Sequence, residues 1–400
     1  MLLNNKKVIL AVCGGIAAFK AAEIASLLCK RGAEVKCIMT ENAAKFITPL
    51  TLREITGNPV TVSMWNEVTN WHVEHIALAS WADVFLIAPA TANCIGKIAG
   101  GIADDMLTTT VMATKAPVVI APAMNTNMYL NPIVQHNMEK LKKYGYSIIT
   151  PDAGLLACGV TGIGRLPQPV SLVDYIEMKA CCTAQLKGKK VIVTAGGTRE
   201  AIDPVRFIGN HSSGRMGFAI AKAAVLAGAD VTLIAGVTSL ETPLGVKRVD
   251  VVSTRDMKQA VDSLYDDTDI VIKAAAVADY RVQTPAKDKI KKSEDTLVLS
   301  MEKNPDILYE LGQRKKNQIL VGFAAETTNV IHYGMEKLKK KNLDMLVAND
   351  VSAAGAGFKV NTNVATLLFP DGMSEKFDIM DKFDLAAIII DRVTKIINKS

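Results

Sequence analysis

The feature that most constrains this sequence is a strand–glycine–helix–strand pattern that occurs twice. The first copy begins at Lys6 with KKVILAVCGGIAAFK, and the second begins at Lys189 with KKVIVTAGGTRE and continues through an alanine-rich helix. Uninterrupted apolar runs such as VILAV and VIVTA are typical of parallel strands that are buried on both faces. Because 49% of the 400 residues are hydrophobic, each copy can form its own core, and the sequence predicts two α/β domains.

Charge and cysteine content narrow the function classes. The net charge of +6 is modest, and the lysines are scattered apart from residues 287–292 and 337–341. This distribution favours small anionic substrates over a nucleic-acid partner. The seven cysteines form no CxxC pair, which is typical of a reducing compartment. Since no apolar segment resembles a signal peptide or approaches membrane-spanning length, we expect a cytoplasmic protein without a membrane partner.

The first glycine turn is followed by a predicted helix over residues 16–30. The apolar residues expected on its buried side are Ile16, Phe19, Ile24, Leu27 and Leu28. The turn CGGIAA lacks the third glycine of a dinucleotide fingerprint, and the second strand ends at Thr40, where that fold offers an acid to the ribose. The second copy has AGGTRE and then Pro204 in place of a helix start. A nicotinamide site is therefore disfavoured in both copies.

Two later strands end in polar loops. The run VFLIAPATANC passes from an apolar strand into a polar turn, and APVVIAPAMN ends in the same way at Asn125. Open α/β sheets bind ligands at such carboxyl ends. The segment PDAGLLACGVTGIGRLP is predicted to be a flexible substrate lid, and its Cys158 is a candidate proton donor. His72 and His75 lie three residues apart on a predicted helix, and His72 is interpreted as a surface residue.

Several motifs carry a specific family resemblance. The first half resembles the flavin-binding cysteine decarboxylases of phosphopantothenoylcysteine through GGIAAFK, PATANCIGKIAGGIADDML, PAMNTNMY and ACGVTGIGRL. The second half resembles phosphopantothenate–cysteine ligases through TAGGTREAIDPVRFIGNHSSGRMG, AAAVADY, KIKK, KNPDIL, GFAAET and KNLDMLVANDVS. Leu166 and Gly197 depart from the common patterns, although neither is a reacting group. Together the motifs resemble the bifunctional coenzyme A biosynthesis family over essentially the whole chain.

The resemblance implies two Rossmann-like three-layer domains. Residues 1–180 are expected to form a flavodoxin-like decarboxylase domain, and residues 189–400 a Rossmann-like ligase domain. The ligase would join cysteine to 4′-phosphopantothenate through an acyl-cytidylate, with CTP and Mg²⁺, although the residues alone do not distinguish a cytosine pocket from an adenine pocket. The decarboxylase would use FMN to convert that product into 4′-phosphopantetheine. A large homo-oligomer with FMN at a subunit interface is also implied.

The resemblance assigns roles around FMN. His75 is expected to be the catalytic base or an orienting group near the flavin, Asn125 to hold the substrate carboxylate, and Cys158 to protonate the enethiolate. The residues expected to contact the FMN phosphate or ring are Gly14, Gly15, Thr40, Thr91 and Asn93. The glycines begin a helix, where backbone N–H groups bind phosphate. Thr91 is equally interpretable as a turn cap.

The resemblance also assigns the ligase site. Asn210 is expected to donate a hydrogen bond to the oxyanion of the acyl-nucleotide. Asp279 is expected to bind Mg²⁺ and the nucleotide, while lysines balance the phosphate charges. These lysines are Lys289, Lys337 and Lys341. The remaining residues expected in the nucleotide pocket are Lys273, Ala274, Ala275, Ala276, Asn304, Pro305, Asp306, Ile307 and Phe323.

Two alternatives from other classes stay open at this point. A regulatory protein with the decarboxylase fold would bind flavin without needing His75, Asn125 and Cys158 together, yet all three are present. A two-domain dehydrogenase would need the glycine fingerprints that both copies lack. Bound oxidised flavin would make the protein yellow and would argue against the dehydrogenase.

Overall fold

The structure is a computed structural model that describes residues 2–65, 73–291, 297–326, 330–350, 360 and 362–398. It divides into two compact units, Met1–Cys181 and Cys182–Ser400. The assignment of separate activities to residues 1–180 and 189–400 stays a prediction. His72 lies outside the described residues. Within the described ranges, no helix is both long enough and apolar enough to span a membrane.

The first unit alternates strands and helices along the chain. Its strands β1–β8 are Lys7–Val12, Glu34–Met39, Val60–Thr61, Val84–Ala90, Val118–Pro122, Ser147–Ile148, Asp152–Leu155 and Thr161–Arg165. Its α-helices α1–α8 are Lys20–Lys30, Pro49–Thr56, Glu74–Trp81, Ala92–Gly100, Met106–Ala113, Thr126–Leu130, Pro132–Lys143 and Pro169–Cys181. Short 3₁₀ turns cover Ile16–Phe19 and Ala43–Lys45.

Six of these strands form one parallel sheet in the order β3-β2-β1-β4-β5-β6. Strand β1 lies in the middle, between β2 and β4. This is the Rossmann order, and it confirms the Rossmann-like α/β prediction. Without the two-residue edge strand β3, the order is β2-β1-β4-β5-β6, which is the flavodoxin order. The flavodoxin-like prediction is therefore confirmed as well.

The sheet is buried on both faces, because successive residues of each strand enter two different cores. Leu10 of β1 packs on one face with Ile24 of α1 and with helix α8. Ile9 packs on the other face with Ile95 of α4 and with helix α7. Three layers result, as predicted. The uninterrupted run VILAV has this cause, since no position from Val8 to Val12 of β1 faces water.

The first helix begins differently from the prediction. Residues 16–19 form a 3₁₀ turn, and the α-helix begins at Lys20. Ile24 is buried as predicted, but Ile16 and Phe19 are each 61% exposed. A 3₁₀ turn has about 3.0 residues per turn in place of 3.6, so its side chains leave the buried side of the helix that follows. Ile16 and Phe19 instead line a cavity at the edge of the sheet.

The second unit repeats the arrangement with a larger sheet. Its strands β9–β20 are Lys190–Ala195, Arg199–Ala201, Phe207–Gly209, Asp230–Ala235, Val246–Asp250, Ile270–Lys273, Tyr280–Val282, Met301–Lys303, Ile319–Glu326, Met345–Asp350, Thr362–Leu368 and Ser374–Asp381. Its α-helices α9–α13 are Arg215–Leu226, Thr254–Tyr265, Ile307–Gln313, Val330–Lys340 and Lys382–Ile397.

The main sheet of this unit has the order β13-β12-β9-β14-β17-β18-β19-β20. The first six strands in this order, β13, β12, β9, β14, β17 and β18, are parallel. Strands β19 and β20 are added in antiparallel fashion. The segment VATLLFPDGMSEKFD predicts a hairpin around Asp371 and Gly372, and the pairing of β19 with β20 confirms it, with Gly372 at a φ of 89°. The sequence also predicts an amphipathic helix from Lys382 to Asn398, which is confirmed as α13, and α13 packs against α9 in the core.

The small and polar stretch CCTAQLKGKK predicts a linker over residues 178–188, but these residues belong largely to the two units. Helix α8 continues to Cys181. The Thr183 N–H donates to the Leu226 carbonyl at 2.6 Å, and the Leu186 N–H donates to the Ala227 carbonyl at 2.8 Å. Leu186 is 0% exposed and lies in the core of the second unit.

We expect the second unit to be more stable when it begins at Cys182 than when it begins at Lys189. The shorter fragment loses a fully buried leucine, and deletions of buried leucine side chains cost about 2–5 kcal/mol. Thermal unfolding of fragments 182–400 and 189–400, followed by circular dichroism, measures the difference. Fragment 1–180 is expected to unfold cooperatively by itself. Identical melting curves for the two longer fragments would contradict the role of Leu186.

Candidate active sites

Two adjoining cavities lie at the carboxyl edge of the first sheet. Their volumes are about 530 Å³ and about 480 Å³. Gly14, Thr91, Ala92 and Met128 line both. Two ligands bound in these cavities would therefore lie side by side across a shared wall.

The first cavity has a polar wall at the ends of β2 and β4. Thr40 follows β2, and its Oγ1 accepts the Ala43 N–H at 3.1 Å. Thr91 caps α4 by accepting the Cys94 N–H at 3.3 Å, so its interpretation as a cap is confirmed. Asn93 is exposed in the same wall. In both hydrogen bonds the threonine hydroxyl oxygen is the acceptor. Each hydroxyl can therefore still donate its own proton to a ligand.

The glycine turn after β1 has open space at one of its two glycines. A Cβ at Gly14 would stand 2.5 Å from the Cβ of Asn42, whereas a Cβ at Gly15 would meet nothing closer than Thr91 Cγ2 at 3.9 Å. Among the described residues, no protein acceptor receives the N–H groups of Gly14 and Gly15. The turn leads directly into a helix, and free N–H groups at a helix start bind phosphate. This geometry fits a ligand such as FMN.

A hairpin covers the second cavity where a flexible loop was predicted. Strands β7 and β8 pair in antiparallel fashion, and Cys158 lies exposed in the turn between them. Asn125 caps α6 and donates from Nδ2 to the Cys158 sulfur at 3.4 Å. A hydrogen bond with the Val160 backbone, and then the one from Asn125, lower the pKa of the Cys158 thiol. The structure thus brings two of the predicted catalytic residues into contact.

Close backbone contacts seat this hairpin on the loop that carries Asn125. The Met124 N–H donates to the Gly164 carbonyl at 3.0 Å. A Cβ at Gly164 would overlap the Met124 carbonyl, and a Cβ at Gly162 would overlap the Thr126 hydroxyl. Thr126 Oγ1 is buried and has no hydrogen-bond partner in the described part of the chain. Only glycine at these two positions lets the tip of the hairpin reach Asn125.

The sequence analysis missed two cations in the wall of the second cavity, Lys20 and Arg165. Lys20 Nζ donates to the Leu166 carbonyl at 3.0 Å. Burial, and next the charge of Arg165, lower the Lys20 pKa. The described lining contains no carboxylate and is mostly apolar, so it fits an apolar ligand with an anionic end. A lysine one turn past the glycines was the available signal for Lys20, whereas only the pairing of the hairpin brings Arg165 to this wall.

The predicted flavin histidine lies elsewhere in the unit. His75 is near the start of α3 and is half-buried. It lines neither cavity as far as the described residues define them. A single chain therefore does not bring His75 to the cavity walls that hold Asn125 and Cys158.

The second unit has a loop of small residues at the carboxyl end of β14, and this loop ends at Asp279. The Thr198 hydroxyl accepts the Ala278 N–H at 3.0 Å and fixes the end of this loop. Asn210 Nδ2 donates to the Val277 carbonyl at 3.0 Å. Asn210 therefore lies beside the predicted residues 274–276. An amide nitrogen has two protons, so one remains for an oxyanion.

Asn304 holds the backbone that carries Asp279. Its N–H donates to the Asp279 carbonyl at 2.8 Å, and its Nδ2 donates to the Ala278 carbonyl at 2.9 Å. Its Oδ1 accepts from Arg281 at 2.9 Å. The side chain of Asn304 is thus used by the protein at both ends, which makes it a support for the loop.

The structure leaves Asp279 as a single carboxylate for a metal. Within the described residues, no three His, Cys, Asp or Glu side chains are grouped to hold an ion. Mg²⁺ usually takes only one or two carboxylates and completes its coordination with substrate phosphates and water. An exposed Asp279 fits that mode of binding.

Three of the predicted nucleotide residues form a charged cluster. Lys341 Nζ lies 2.8 Å from Asp306 Oδ2. Burial, and then the charge of Lys341, lower the Lys273 pKa to about 8. An anionic ligand beside these lysines would raise that pKa and stabilise both cations.

The side chains of the other predicted nucleotide residues differ in how far they are exposed to solvent. Lys337 lies one turn before Lys341, and Phe323 is half-buried in β17. Pro305 and Ile307 flank Asp306, and Ile307 is buried in the core. Lys289 is exposed on the loop after β15 and forms no ion pair within the described ranges.

Comparison with known proteins covers both units. The Flavoprotein family matches residues 2–181, and the DNA/pantothenate metabolism flavoprotein C-terminal domain family matches residues 186–397. The coenzyme A biosynthesis bifunctional protein CoaBC of Bacillus subtilis (strain 168) is 50% identical over 395 residues, which cover 98% of this chain and 97% of that protein. CoaBC of Escherichia coli (strain K12) is 46% identical over 376 residues, which cover 93% of each chain.

A crystal structure of the C-terminal domain of CoaBC is 42% identical, covers 55% of this chain and 100% of that chain, and has a TM-score of 0.48. The two curated relatives match along nearly their full lengths and that of this chain. This confirms the resemblance seen in the motifs of both halves. The chain therefore belongs to the family of bifunctional coenzyme A biosynthesis proteins, which combine phosphopantothenoylcysteine decarboxylase and phosphopantothenate–cysteine ligase activities.

Proposed function

We propose that the second unit ligates cysteine to 4′-phosphopantothenate and that the first unit decarboxylates the product in its second cavity. The observation that carries the decarboxylase assignment is the contact between Asn125 and Cys158 at 3.4 Å. Asn125 holds the substrate carboxylate, and Cys158 delivers a proton from the lid hairpin. The apolar cavity that Asn125 and Cys158 line together with the cations Lys20 and Arg165 suits the acylated substrate.

The decarboxylation needs an electron sink that an α-amido carboxylate lacks. FMN, when bound, takes the two electrons that convert the substrate thiol into a thioaldehyde and returns them after carbon dioxide has left. Asn125 orients the carboxylate for departure by hydrogen bonding through Nδ2. Cys158 then protonates the enethiolate, and the Asn125 amide stabilises the thiolate that remains on the lid.

FMN is assigned to the first cavity. Its phosphate would lie at the shared wall and accept hydrogen bonds from the N–H groups of Gly14, which lines both cavities, and of Gly15, which lines the second. Thr40, Thr91 and Asn93 would donate to the phosphate or to the ring, because all three line this cavity. The shared wall at Thr91 would then set the flavin beside the substrate.

The substrate phosphate is assigned to Lys20 and Arg165. Strand β8 runs from Thr161 to Arg165, and four steps of about 3.3 Å give roughly 13 Å between its ends. The cations are therefore remote from the tip of the lid, as an extended pantothenoyl chain requires. Burial, and then the charge of Arg165, lower the Lys20 pKa, and a phosphate dianion between the two cations would relieve their repulsion.

His75 is assigned to the cavity of a neighbouring copy, since it lines neither cavity of its own chain. This assignment requires at least one further copy, which the large homo-oligomer implied by the family would supply. Ile16 and Phe19, each 61% exposed at the second cavity, offer an apolar surface that another copy would cover. A cytoplasmic location is proposed because the cysteines are free thiols, which suits a reducing compartment.

In the second unit, CTP is the nucleotide that the family implies for activating the carboxylate. Asp279 would bind Mg²⁺, which would supply positive charge beside the nucleotide phosphates, and Asn210 would donate to the oxyanion formed when the cysteine amine attacks. The lysines proposed to neutralise the phosphates are Lys273, Lys289, Lys337 and Lys341. The residues proposed to frame the nucleotide are Ala274, Ala275, Ala276, Asn304, Pro305, Asp306, Ile307 and Phe323.

The first prediction for this function compares the two glycines of the FMN turn. Gly14→Ala is expected to destabilise the flavin-free chain by about 1–3 kcal/mol, because its Cβ would stand 2.5 Å from the Cβ of Asn42. Gly15→Ala has open space and is expected to leave this stability nearly unchanged, yet to weaken FMN binding. Thermal unfolding and FMN fluorescence titration measure the two effects. Wild-type FMN affinity in Gly15→Ala would argue against the phosphate assignment.

A second prediction isolates the proton delivered by Cys158. A serine hydroxyl is a far weaker acid than a thiol, so Cys158→Ser is expected to release carbon dioxide but to accumulate the enethiol. Mass spectrometry would detect a product that lacks two hydrogens relative to 4′-phosphopantetheine. Cys182→Ser is the matched control, since this thiol is also exposed but lies at the start of the second unit. Full conversion by Cys158→Ser would reassign the proton donor.

A third prediction separates the ligase half-reactions. Lys289→Gln is expected to stop pyrophosphate release from CTP and 4′-phosphopantothenate, because it removes a charge from the phosphate site. Asn210→Asp is expected to form the acyl-cytidylate but to pass it slowly to cysteine, because it removes the donor to the oxyanion. Pyrophosphate assays with and without cysteine distinguish the steps. Equal loss of both steps in both variants would show that the assignment is wrong.

A further inference from the structure

The carboxylate of Asp203 joins two loops of the second unit. Asp203 is 3% exposed. Its Oδ1 accepts the N–H groups of Val205 and Arg206, each at 2.8 Å, and its Oδ2 accepts the Ile290 N–H at 3.2 Å. The first two bonds close a local turn, whereas the third reaches across to a residue that is remote in sequence. The side chain therefore acts as a clamp between the two loops.

The clamp encloses the backbone of Lys289. Arg206 Nη2 donates to the Ile290 carbonyl at 3.1 Å, so both polar groups of Ile290 are held from the first loop. On the other side of Lys289, the Ala286 N–H donates to the Ile202 carbonyl at 2.9 Å. The short segment that carries Lys289 is thus tied down at both ends, although the lysine side chain itself is exposed.

We propose that Asp203 is a positioning residue that holds Lys289 where its ammonium group meets the nucleotide phosphates. The inference rests on the proposed role of Lys289 in the first half-reaction. A long lysine side chain on an untethered loop would sample many positions, and ordering it at the moment of reaction raises the barrier. A loop fixed in advance by Asp203 removes much of that cost.

The ionisation of Asp203 agrees with this role. Burial alone would raise its pKa, but the N–H groups of Val205, Arg206 and Ile290, together with the Arg206 charge, hold the pKa below its usual value. The carboxylate is therefore charged at neutral pH and keeps both oxygens as acceptors. Asparagine at this position has a single acceptor oxygen and cannot receive all three N–H groups.

A double-mutant cycle on the full chain tests the proposal. Asp203→Asn is expected to slow pyrophosphate release by about 10-fold to 100-fold, as expected for a reacting group displaced by about 1 Å. The cycle uses Lys289→Arg, which keeps the charge but changes its geometry and leaves a measurable rate: if Asp203 acts through Lys289, Asp203→Asn combined with Lys289→Arg is expected to be no slower than the slower single variant. Multiplied losses in the double variant would overturn the proposal. If Lys289→Gln alone leaves pyrophosphate release intact, the proposed role of Lys289 fails, and this inference fails with it.

A control separates positioning from a general loss of stability. Asp269 also accepts a remote backbone N–H, from Lys190 at 2.8 Å, but it precedes β14 at the opposite edge of the sheet. Asp269→Asn is expected to lower the melting temperature while changing pyrophosphate release by less than about twofold. If Asp203→Asn does not fold by the same melting test, Asp203→Glu takes its place in the cycle. Equal kinetic losses in the Asp203 and Asp269 variants would reduce Asp203 to a structural residue.

Discussion

Both sites depend on parallel strands that are buried on two faces. Along a strand such as β1 or β9, every side chain beyond the first residue is buried in one core or the other, so polar groups are accommodated only where the strand ends. All strands of a parallel sheet end at the same edge. Thr40 and Asn125 gather at that edge in the first unit, and Thr198 and Asp279 gather there in the second. The packing of the core thus confines the chemistry to one edge of each sheet.

The polar side chains at these edges fall into two groups. In one group the protein already uses all the hydrogen-bonding atoms of the side chain, and in the other a proton remains for a ligand. Asn304 donates to the Ala278 carbonyl and accepts from Arg281, and the carboxylate of Asp203 receives three N–H groups. Such residues fix loops. Asn125 instead keeps one Nδ2 proton for a ligand, because among the described residues its Nδ2 donates only to the Cys158 sulfur at 3.4 Å. This difference separates residues that shape the sites from residues that contact substrate.

The sequence predicted what depends on local periodicity and missed what depends on register between distant segments. The apolar runs, the hairpin at Gly372 and the C-terminal helix follow from short patterns, and so does Thr91 as a cap. The prediction that Ile16 and Phe19 are buried was wrong, because these residues form a 3₁₀ turn and their side chains do not lie on the buried side of the α-helix that follows. Nothing in the sequence could show that Asp203 reaches Ile290 or that β8 brings Arg165 to the cavity. The roles of His75 and of the other site residues stay predictions.

The proposed cavities explain why ligation must come before decarboxylation. Free cysteine offers the same thiol and carboxylate to Cys158 and Asn125, but it has nothing to place against the apolar wall or beside Lys20 and Arg165. Binding energy from that remote end is what holds the reacting group in position and lets the lid close over it. An acylated and phosphorylated cysteine supplies both contacts, whereas the free amino acid supplies neither. On the proposed assignment, the wall of the second cavity would select the ligase product, and the order of the two reactions would follow from substrate recognition in the first unit.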